Sequence, residues 1–405
     1  MYENSMDLQS KNKPSVVVVG GGLAGLSAAL KLESYGYHPL LLEANETLGG
    51  RLQTTHHNGF LLDAGFQVLL SNYPEISFAC KRALKLKSFR SGAYYRMEDK
   101  WALFSPTSFW RWEKDCSRGL FTLGKTLATS SWKKTEGDTD TLIHEMGAPE
   151  LWVDDFLAPF LRGVFLDKHL EVNSSRFLKL LPLFIWGRAC LPAGGMGALP
   201  RWFERQLQTT EIRFNSPVAE ATPHQVTLWD GQKITADVVL LALSQPELAK
   251  LVPSLPAVES RTTGCDYFEI DAEHIHATPY LWLDGRVESP VNNFAILSAV
   301  QPTYAPKGKH LLSATTLGTH LPSTSTVQKY LAEELKINPT LLKPMERQFI
   351  SHALPSQAEI PPLKTRELDG LFIAGEAVDP PSINDAIASG KKAAKAILNR
   401  LELVS

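Results

Sequence analysis

A glycine turn near the N-terminus constrains the fold of this 405-residue chain more than any other feature. The sequence Gly20-Gly21-Gly22-Leu23-Ala24-Gly25 follows a β-branched run at residues 15–19 and precedes an apolar pattern of helical period at residues 23–35. A second apolar run spans residues 39–43. Strand, glycine turn, helix and strand in this order predict a right-handed β-α-β unit of the kind that binds dinucleotides.

Each residue of the turn has a predicted role. We expect Gly20 to allow the tight turn, Gly22 to let the backbone approach a pyrophosphate, and Gly25 to let helix and strand pack closely. Leu23 and Ala24 begin the helix. The free N–H groups and the positive dipole end of its first turn attract the anion.

An acidic residue ends the second strand. Glu43 lies 18 positions after Gly25, where a carboxylate accepts hydrogen bonds from an adenosine ribose and repels a 2′-phosphate. A glycine-rich surface turn beside an unrelated glutamate is the competing interpretation. The joint presence of strand, turn, helix and acid disfavours it, and NADP is not expected at this site.

Further motifs distinguish FAD from NAD. Ala44 and the sequence Asn45-Glu46-Thr47-Leu48-Gly49-Gly50-Arg51 follow the acid, and Asp63-Ala64-Gly65-Phe66-Gln67 comes next. Three later motifs lie at residues 216–218 with 236–240, 371–376 and 381–390. In this order the motifs resemble those of the superfamily of flavin amine oxidases, phytoene desaturases and protoporphyrinogen oxidases, with the pattern nearest to its carotenoid desaturase branch.

The resemblance implies a non-covalently bound FAD. Arg51 would contact the phosphates through its fork of donors, residues 65–67 would pass under the flavin, and the backbone of Val218 would face the adenine. The strand at 371–376 would meet the ribityl or pyrophosphate portion, and the helix beginning near Ser382 would direct its N–H groups to the flavin O2. The predicted cofactor-binding residues are Gly20, Gly22, Leu23, Ala24, Gly25, Glu43, Ala44, Gly50, Arg51, Gly65, Phe66, Gln67, Val218, Gly375, Glu376, Ser382 and Ile383. Asp385 departs from the glycine of many relatives, and a carboxylate near the flavin O2 would oppose an anionic reduced flavin.

Chain length and the spread of these motifs predict two domains, because 405 residues exceed one simple hydrophobic core. The expected fold class is α/β, with a Rossmann-like FAD-binding domain and an interleaved α+β substrate domain of mixed sheet and helices. The FAD-binding domain is predicted at residues 15–80, 205–250 and 365–405, and the substrate domain at 81–204 and 251–364. Residues 1–14 are polar and are expected to be a disordered leader.

Composition excludes several classes of function. The formal net charge of −2 gives no general attraction to nucleic acid. None of the four cysteines forms a C-x-x-C pair, which argues against a redox dithiol or a zinc site. The His and acidic residues at 271–276 match no metal-site spacing, so no metal is predicted.

No signal peptide or membrane-spanning run is evident, and the expected location is cytoplasmic. Peripheral contact with a membrane is left open. A basic segment could meet anionic lipid heads, although a solvated helix face is the favoured interpretation. Its residues are Lys81, Arg82, Lys85, Lys87 and Arg90, with Trp110 and Trp112 as the aromatic side chains beside it.

The substrate is predicted to be hydrophobic. Amine oxidases of the superfamily usually carry a lysine in the middle-to-late chain and an aromatic residue in the closing motif. No lysine occurs between Lys250 and Lys307, and Pro381 and Ser382 occupy the aromatic position. The sequence at 191–200 resembles the "p-x-G-G-M" element of the desaturase branch, with a plain glycine-rich loop as the alternative. The aromatic residues of the substrate domain fit a pocket for a hydrophobic ligand, although most are expected to be core; they are Trp101, Phe104, Phe109, Trp110, Trp112, Phe156, Phe160, Phe165, Phe177, Phe184 and Trp186.

Three functions remain open at this point. The first is an FAD-dependent oxidoreductase of desaturase or isomerase type, in which a hydride passes from a C–H bond of a polyene or isoprenoid substrate to flavin N5. Its electron acceptor would be O2 or a quinone. The second is an amine or amino-acid oxidase, and the third is a flavoprotein that binds a ligand or partner without turnover. No residue is predicted to be catalytic.

Overall fold

The computed structural model describes residues 13–97, 99–105, 121, 124–125, 137–256, 258–286, 288–356, 363 and 366–402. The predicted leader lies outside these residues except for its last two positions. Phe109, Trp110 and Trp112 also lie outside them.

Strands occur along the whole described chain. In chain order they are β1 (Val16–Val19), β2 (Leu40–Leu42), β3 (Thr54–His57), β4 (Phe60–Asp63), β5 (Leu69–Leu70), β6 (Lys87–Ser88), β7 (Ala93–Met97), β8 (Lys100–Phe104), β9 (Ala189–Leu191), β10 (Glu211–Arg213), β11 (Val218–Thr222), β12 (Gln225–Leu228), β13 (Lys233–Thr235), β14 (Val238–Leu241), β15 (Ser260–Asp271), β16 (Leu281–Leu283), β17 (Asn293–Ile296), β18 (Lys309–Leu317), β19 (Lys343–Pro355), β20 (Glu367–Leu368) and β21 (Leu371–Ile373).

Helices connect many of these strands. They are α1 (Leu23–Glu33), α2 (Phe78–Ala83), α3 (Thr139–Glu145), α4 (Glu150–Trp152), α5 (Ala158–Phe165), α6 (Ser174–Trp186), α7 (Ala198–Glu204), α8 (Gln245–Leu251), α9 (Leu297–Val300), α10 (Thr324–Leu335) and α11 (Ile383–Glu402). A π-helical turn, Val153–Leu157, joins α4 to α5, and single 3-10 turns lie at Ala272–His274, Pro302–Tyr304 and Pro339–Leu341.

The first of two compact units comprises Met1–Gly50, Pro200–Ala257 and Pro362–Ser405. Its six-stranded sheet has the order β10-β2-β1-β14-β21-β20 and is parallel except for the edge pair β20 and β21. The four valines of β1 are all buried because strands flank β1 on both sides. This arrangement confirms the predicted Rossmann-like β-α-β unit.

Two helices of this unit pack closely through a glycine. A Cβ added at Gly390 of α11 would lie 2.0 Å from the carbonyl oxygen of Ala24 and 2.2 Å from the Oγ of Ser27 in α1. The Ser27 hydroxyl donates a hydrogen bond to the carbonyl of Ile387 at 3.0 Å. The last helix of the chain thereby holds the first one against the sheet.

The sequence of residues 212–243 predicts antiparallel strands with a hairpin turn at Asp230-Gly231, and the structure agrees in part. Strands β11, β12 and β13 form an antiparallel sheet, and the hairpin between β12 and β13 turns at Asp230-Gly231. Strands β10 and β14 instead join the parallel sheet, where they pair with β2 and β1. The apolar run of β14 is completely buried, as a central parallel strand requires.

The second unit comprises Arg51–Leu199 and Val258–Pro361. Its largest sheet has the order β19-β15-β18-β17-β16-β7-β8 and is antiparallel except between β16 and β7. Smaller sheets are formed by β3 with β4 and by β5, β9 and β6. Mixed sheet and helices match the α+β architecture expected for the substrate domain.

The first boundary between the units differs from the predicted one. We expected the FAD-binding domain to continue to residue 80, whereas residues 51–80 group with the second unit. The reason is their pairing: β3 and β4 pair with each other, and β5 pairs with β9. The other predicted boundaries, at 204/205, 250/251 and 364/365, lie within eight residues of those in the structure.

Candidate functional site

The glycine turn lies at the carboxyl end of β1, where a Rossmann sheet binds its ligand. Gly20 has φ +103°, and an added Cβ would lie 2.5 Å from the carbonyl oxygen of Ala242. A Cβ at Gly25 would lie 1.9 Å from the carbonyl oxygen of Gly20. The fold itself therefore requires glycine at both positions.

Gly22 is different, because the protein leaves room for a side chain there. It is the N-cap of α1 with φ −72° and ψ 178°, a conformation open to any residue, and an added Cβ would meet nothing within 4 Å. Leu23 and Ala24 follow as buried residues of the first turn. The exposed Gly50 faces the same space, since its added Cβ would lie 3.6 Å from the Cα of Gly22.

Glu43 holds the turn in place from the end of β2. The side chain is 5% exposed. Its Oε2 accepts a hydrogen bond from the N–H of Gly21 at 2.8 Å, and its Oε1 accepts from the N–H of Asn45 at 2.9 Å. The neighbouring Ala44 is exposed. The Oε1 of Glu43 also accepts from the Nδ2 of Asn45 at 2.8 Å. The carboxylate thus orients the glycine turn and retains one lone pair, on Oε2, for the ribose hydroxyls that the sequence predicts.

We expect Glu43→Ala to weaken FAD binding roughly tenfold or more, because a charge-assisted hydrogen bond contributes about 1.5–3 kcal/mol. The measurement is a fluorescence titration of the apoprotein with FAD. Glu43→Gln is the matched control, since it keeps an acceptor without the charge and should lose less affinity. Unchanged affinity in Glu43→Ala would remove this residue from the site.

The segment after β21 reaches the same edge of the sheet. Gly375 has φ +104°, and its N–H donates to the Oγ of Ser389 in α11 at 2.8 Å. The Oε1 of Glu376 accepts from the N–H of Gln245 at 3.1 Å. The Oε1 of Gln245 is buried and has no hydrogen-bond partner among the described residues. An acceptor left without a donor beside Gly375 is suited to a ligand hydroxyl or N–H.

Ion pairs hold the segment that follows β21 in place. Asp379 pairs with Arg366 at 2.6 Å and with Lys392 at 2.9 Å. Burial raises the pKa of Asp379, but hydrogen bonds from Ser389, Lys392 and Arg366 outweigh it and hold the pKa below its ordinary value. The carboxylate therefore stays charged and ties α11 to the loop that follows β21.

Asp385 lies in the first turn of α11, where it forms hydrogen bonds with Ser382. The Oγ of Ser382 accepts a hydrogen bond from the N–H of Asp385 at 2.9 Å and donates to its Oδ2 at 2.8 Å. Ser382 thus caps the helix that begins at Ile383, and the carboxylate of Asp385 is occupied by this cap. The departure from glycine has a structural role at the helix end.

Val218 begins β11, where it pairs with Leu228 and lies against the apolar core of the first unit. The N–H of Trp229 donates to the carbonyl of the adjacent Pro217 at 3.0 Å. The structure therefore places Val218 at the start of a strand, and its predicted approach to the adenine stays a prediction.

The remaining predicted site residues belong to the second unit. The Arg51 guanidinium donates to the carbonyl of Ala353 at 2.8 Å. Phe66 packs edge to face on Phe89, with ring centroids 6.2 Å apart. The Nε2 of Gln67 donates to the carbonyls of Arg51 and Ala64, which leaves its Oε1 buried and without a partner among the described residues. Gln67 is therefore a second buried acceptor suited to a ligand donor.

Sequence reasoning missed the residue that organises this segment. Asp63, at the end of β4, is 2% exposed. Its Oδ1 accepts from the Oγ1 of Thr54 at 2.6 Å and from the N–H of Met196 at 2.8 Å, and its Oδ2 accepts from the hydroxyl of Tyr304 at 2.6 Å. Burial, and then the Asp63 charge, raise the pKa of Tyr304 well above its usual value. The hydroxyl therefore remains a donor.

Two more groups complete what we call the Asp63 cluster (Thr54, Asp63, Gly65, Met196, Tyr267 and Tyr304). The hydroxyl of Tyr267 donates to the carbonyl of Asp63 at 2.9 Å, and the N–H of Gly65 donates to the same carbonyl at 2.8 Å. A Cβ at Gly195 would lie 2.3 Å from the Cγ2 of Thr54. The glycine-rich element at 191–200 is therefore packed against the segment that leads to Gln67. The sequence did offer a signal for Asp63, since it is an acidic residue at the end of a strand and directly before Ala64-Gly65.

The arrangement in the first unit fits FAD. The glycine turn, the buried Glu43 and the unpartnered Gln245 oxygen lie at the carboxyl ends of parallel strands, and the space at Gly22 is open. The residues that could hold the dinucleotide are the turn at 20–25 for the pyrophosphate, Glu43 for the ribose, and the segment at 375–376. Gly50 and the N-terminus of α11 belong to the same unit.

Among the described residues, no group of three or more His, Cys, Asp or Glu side chains could hold a metal ion. No helix in the part of the chain that the structure describes has the length and apolarity needed to cross a membrane. Of the eight predicted aromatic side chains that the structure describes, Phe104, Phe165 and Phe177 are buried in the core, and Phe156 and Phe160 pack against it. Trp101 and Phe184 are half-buried, and Trp186 is exposed.

Comparison with known proteins supports the assignment from geometry. A sequence model of the family of flavin containing amine oxidoreductases matches residues 23–398. Polyamine oxidase 5 of Oryza sativa subsp. japonica is 24% identical over 280 residues, covering 63% of this chain and 56% of the rice protein. Phytoene desaturase of Cercospora nicotianae is 38% identical over 61 residues, covering 15% of this chain and 10% of the fungal protein. The chain thus spans about half the length of the first of these relatives.

A solved structure shares the fold over nearly the whole chain. The crystal structure of an oxidoreductase from Methanosarcina mazei superposes with a TM-score of 0.72 at 16% sequence identity. It covers 95% of this chain and 100% of the archaeal one. At this identity the likeness concerns the fold.

Proposed function

The chain belongs to the family of flavin containing amine oxidoreductases, and from this premise we propose that it is an FAD-dependent oxidoreductase acting on a hydrophobic substrate. When bound, FAD accepts a hydride from carbon at its N5 position. The observation that carries the proposal is the open approach at Gly22 beside the buried Glu43. Among the described residues, no atom lies within 4 Å of an added Cβ at Gly22, where a pyrophosphate would approach.

The binding is proposed to be non-covalent. The three cysteines that the structure describes, Cys80, Cys190 and Cys265, are buried residues of the second unit, whereas the glycine turn belongs to the first. Burial raises the pKa of Cys80 to about 12 and that of Cys265 to about 11. Neither thiol is ionised near neutral pH, so neither is a ready nucleophile.

The substrate is proposed to be a polyene or isoprenoid, with O2 or a quinone as electron acceptor. Removal of a hydride from one carbon and a proton from its neighbour would leave a double bond. A redox-neutral isomerisation would use the same site. The missing lysine between Lys250 and Lys307 and the missing aromatic residue at Pro381 and Ser382 support this class over an amine.

Aromatic rings also support a hydrophobic substrate. In the second unit, Phe160 lies 5.0 Å from Phe184 and 6.5 Å from Phe156, and Phe156 lies 4.6 Å from Phe104, measured between ring centroids. Phe104 is buried in the core of this unit, so the half-buried rings of Phe156, Phe160 and Phe184 are the ones that a hydrophobic substrate would contact.

An amine or amino-acid oxidase is the second candidate. It is favoured by the family match and by the likeness to a plant polyamine oxidase, which is the longest of the sequence alignments given above. A flavoprotein without turnover is the third candidate, since no catalytic side chain can be named from the described residues.

Anaerobic mixing distinguishes these candidates. The purified protein should show a flavin absorption spectrum, and a polyene should bleach it while amines and NADPH should not. Bleaching by an amine would replace the proposal with the second candidate, and bleaching by no compound would favour the third. A protein that takes up no FAD would overturn the proposal as a whole.

A further inference from the structure

Large apolar side chains are exposed at two neighbouring helix ends of the second unit. Phe78, the first residue of α2, is 81% exposed, and Trp186, the last residue of α6, is 73% exposed. Ile185 beside it is also exposed. Exposing such side chains to water has a free-energy cost that a soluble surface usually avoids by burial.

The pairing of strands places these helix ends on one side of a sheet. Strands β5 and β6 both run antiparallel to β9, with α2 between them in sequence, and α6 leads directly into β9. The N–H of Ser71, after β5, donates to the carbonyl of Arg188 at 2.9 Å. The Nδ2 of Asn72 donates to the carbonyl of Leu183 in α6 at 3.3 Å. The start of α2 and the end of α6 therefore project from the same end of this sheet.

The two segments that contain these helix ends are rich in basic side chains. Residues 71–91 and 173–191 hold eight basic side chains and a single acidic one, Glu75, in a chain whose net charge is −2. The basic residues are Lys81, Arg82, Lys85, Lys87, Arg90, Arg176, Lys179 and Arg188. Burial raises the pKa of Cys190 in β9, and the charges of Arg188 and then Lys81 partly oppose this rise, so both charges lie near this sheet.

We propose that this surface, which we call the α2–α6 surface (Phe78, Lys81, Arg82, Lys85, Ile185, Trp186 and Arg188), docks on an anionic lipid bilayer. Aromatic side chains settle at the headgroup level of a membrane, and each basic side chain near it gains energy from anionic lipids. A second copy of the chain is a poor occupant, because a two-fold interface would bring two positive surfaces together.

The α2–α6 surface adjoins the aromatic rings of the second unit through Phe184 of α6. Phe184 precedes the exposed end of α6 and packs edge to face on Phe160 within the second unit. A substrate dissolved in the bilayer would meet these rings first. This last step rests on the proposed function, whereas the docking itself requires no flavin and no turnover.

Vesicle sedimentation tests the docking with the intact protein. Wild type should bind vesicles of phosphatidylcholine mixed with phosphatidylglycerol, bind phosphatidylcholine alone much more weakly, and be released by high salt. The double variant F78A/W186A should bind at least tenfold more weakly. The triple variant K81Q/R82Q/K85Q should do the same, because each charge contributes about a factor of five.

Trp229 provides a matched control. It is 77% exposed, much like Trp186, but lies in the hairpin of the first unit beside Asp230. W229A should bind vesicles as wild type does, and equal melting temperatures would show that all variants are folded. An equal loss in W229A, or wild-type binding by both α2–α6 variants, would overturn the proposal.

A second copy of the chain or a nucleic acid at the α2–α6 surface would each give a different result. A concentration-dependent dimer that F78A/W186A abolishes, without any vesicle binding by wild type, would assign the surface to a second copy and overturn the lipid proposal. Release from vesicles by competing duplex DNA at matched ionic strength would point to a nucleic acid and overturn it too. Failure of vesicle binding would leave the anaerobic flavin assay unaffected, so the two proposals fail separately.

Discussion

Gly22→Asp should abolish FAD uptake while leaving the apoprotein as stable as wild type. An added Cβ at this position meets nothing within 4 Å, and the backbone has φ −72° and ψ 178°. Aspartate is also a better N-cap than glycine, so α1 gains rather than loses stability. The new carboxylate would lie where the pyrophosphate is expected, and like charges in contact cost several kcal/mol. FAD affinity should fall at least about a hundredfold.

Two further variants make this prediction specific. Gly22→Ser keeps the cap without the charge and should lose much less affinity. Gly25→Ala should instead lower the melting temperature of the apoprotein, because its Cβ would lie 1.9 Å from the carbonyl oxygen of Gly20. Flavin absorbance after gel filtration and thermal unfolding without FAD are the measurements. If Gly22→Asp retained bound flavin, the pyrophosphate would have to lie elsewhere.

Asp63→Ala should destabilise the second unit by about 3–5 kcal/mol. The substitution leaves the hydroxyls of Thr54 and Tyr304 and the N–H of Met196 without their acceptor, and each buried unsatisfied donor costs about 1–3 kcal/mol. Since a domain is stabilised by only about 5–15 kcal/mol, the loss is large. Urea unfolding should show a lower midpoint, and hydrogen exchange should increase at residues 194–197.

Two milder substitutions in the Asp63 cluster serve as controls, because each should destabilise the protein less than Asp63→Ala. Tyr304→Phe removes one hydrogen bond and should cost less than Asp63→Ala. Asp63→Asn keeps the shape and one carbonyl acceptor, and should lie between wild type and the alanine variant. An Asp63→Ala protein with the wild-type urea midpoint would mean that water replaces the lost acceptor at no cost, contrary to this view of the cluster.

The first unit was predictable because its signals are local. The β-branched strand, the glycines and the helical period all fall within residues 15–35, and β1 and α1 begin within one residue of the predicted positions. Glu43 was found from its distance along the sequence, because the length of a β-α-β unit varies little. Fold class and family were likewise predicted correctly.

Long-range pairing was not predictable in the same way. Nothing in the spacing of residues 51–80 indicates that β5 pairs with β9 rather than with the parallel sheet. The first boundary between the two compact units therefore lies after residue 50, whereas the predicted one lies after residue 80. The role of Asp385 also depended on a rotamer, since its carboxylate turns back to Ser382.

The sequence by itself determined the dinucleotide fold, because a glycine turn between a buried strand and a helix serves few other purposes. The sequence also predicted different roles for the three glycines, and the tertiary structure gave the physical reason: contacts with the backbone require glycine at Gly20 and Gly25, whereas an added Cβ at Gly22 meets nothing within 4 Å. Only the tertiary structure assembled the Asp63 cluster, whose hydrogen bonds join residues up to 241 positions apart. Such contacts form when separate segments pack together, and a one-dimensional pattern does not record them.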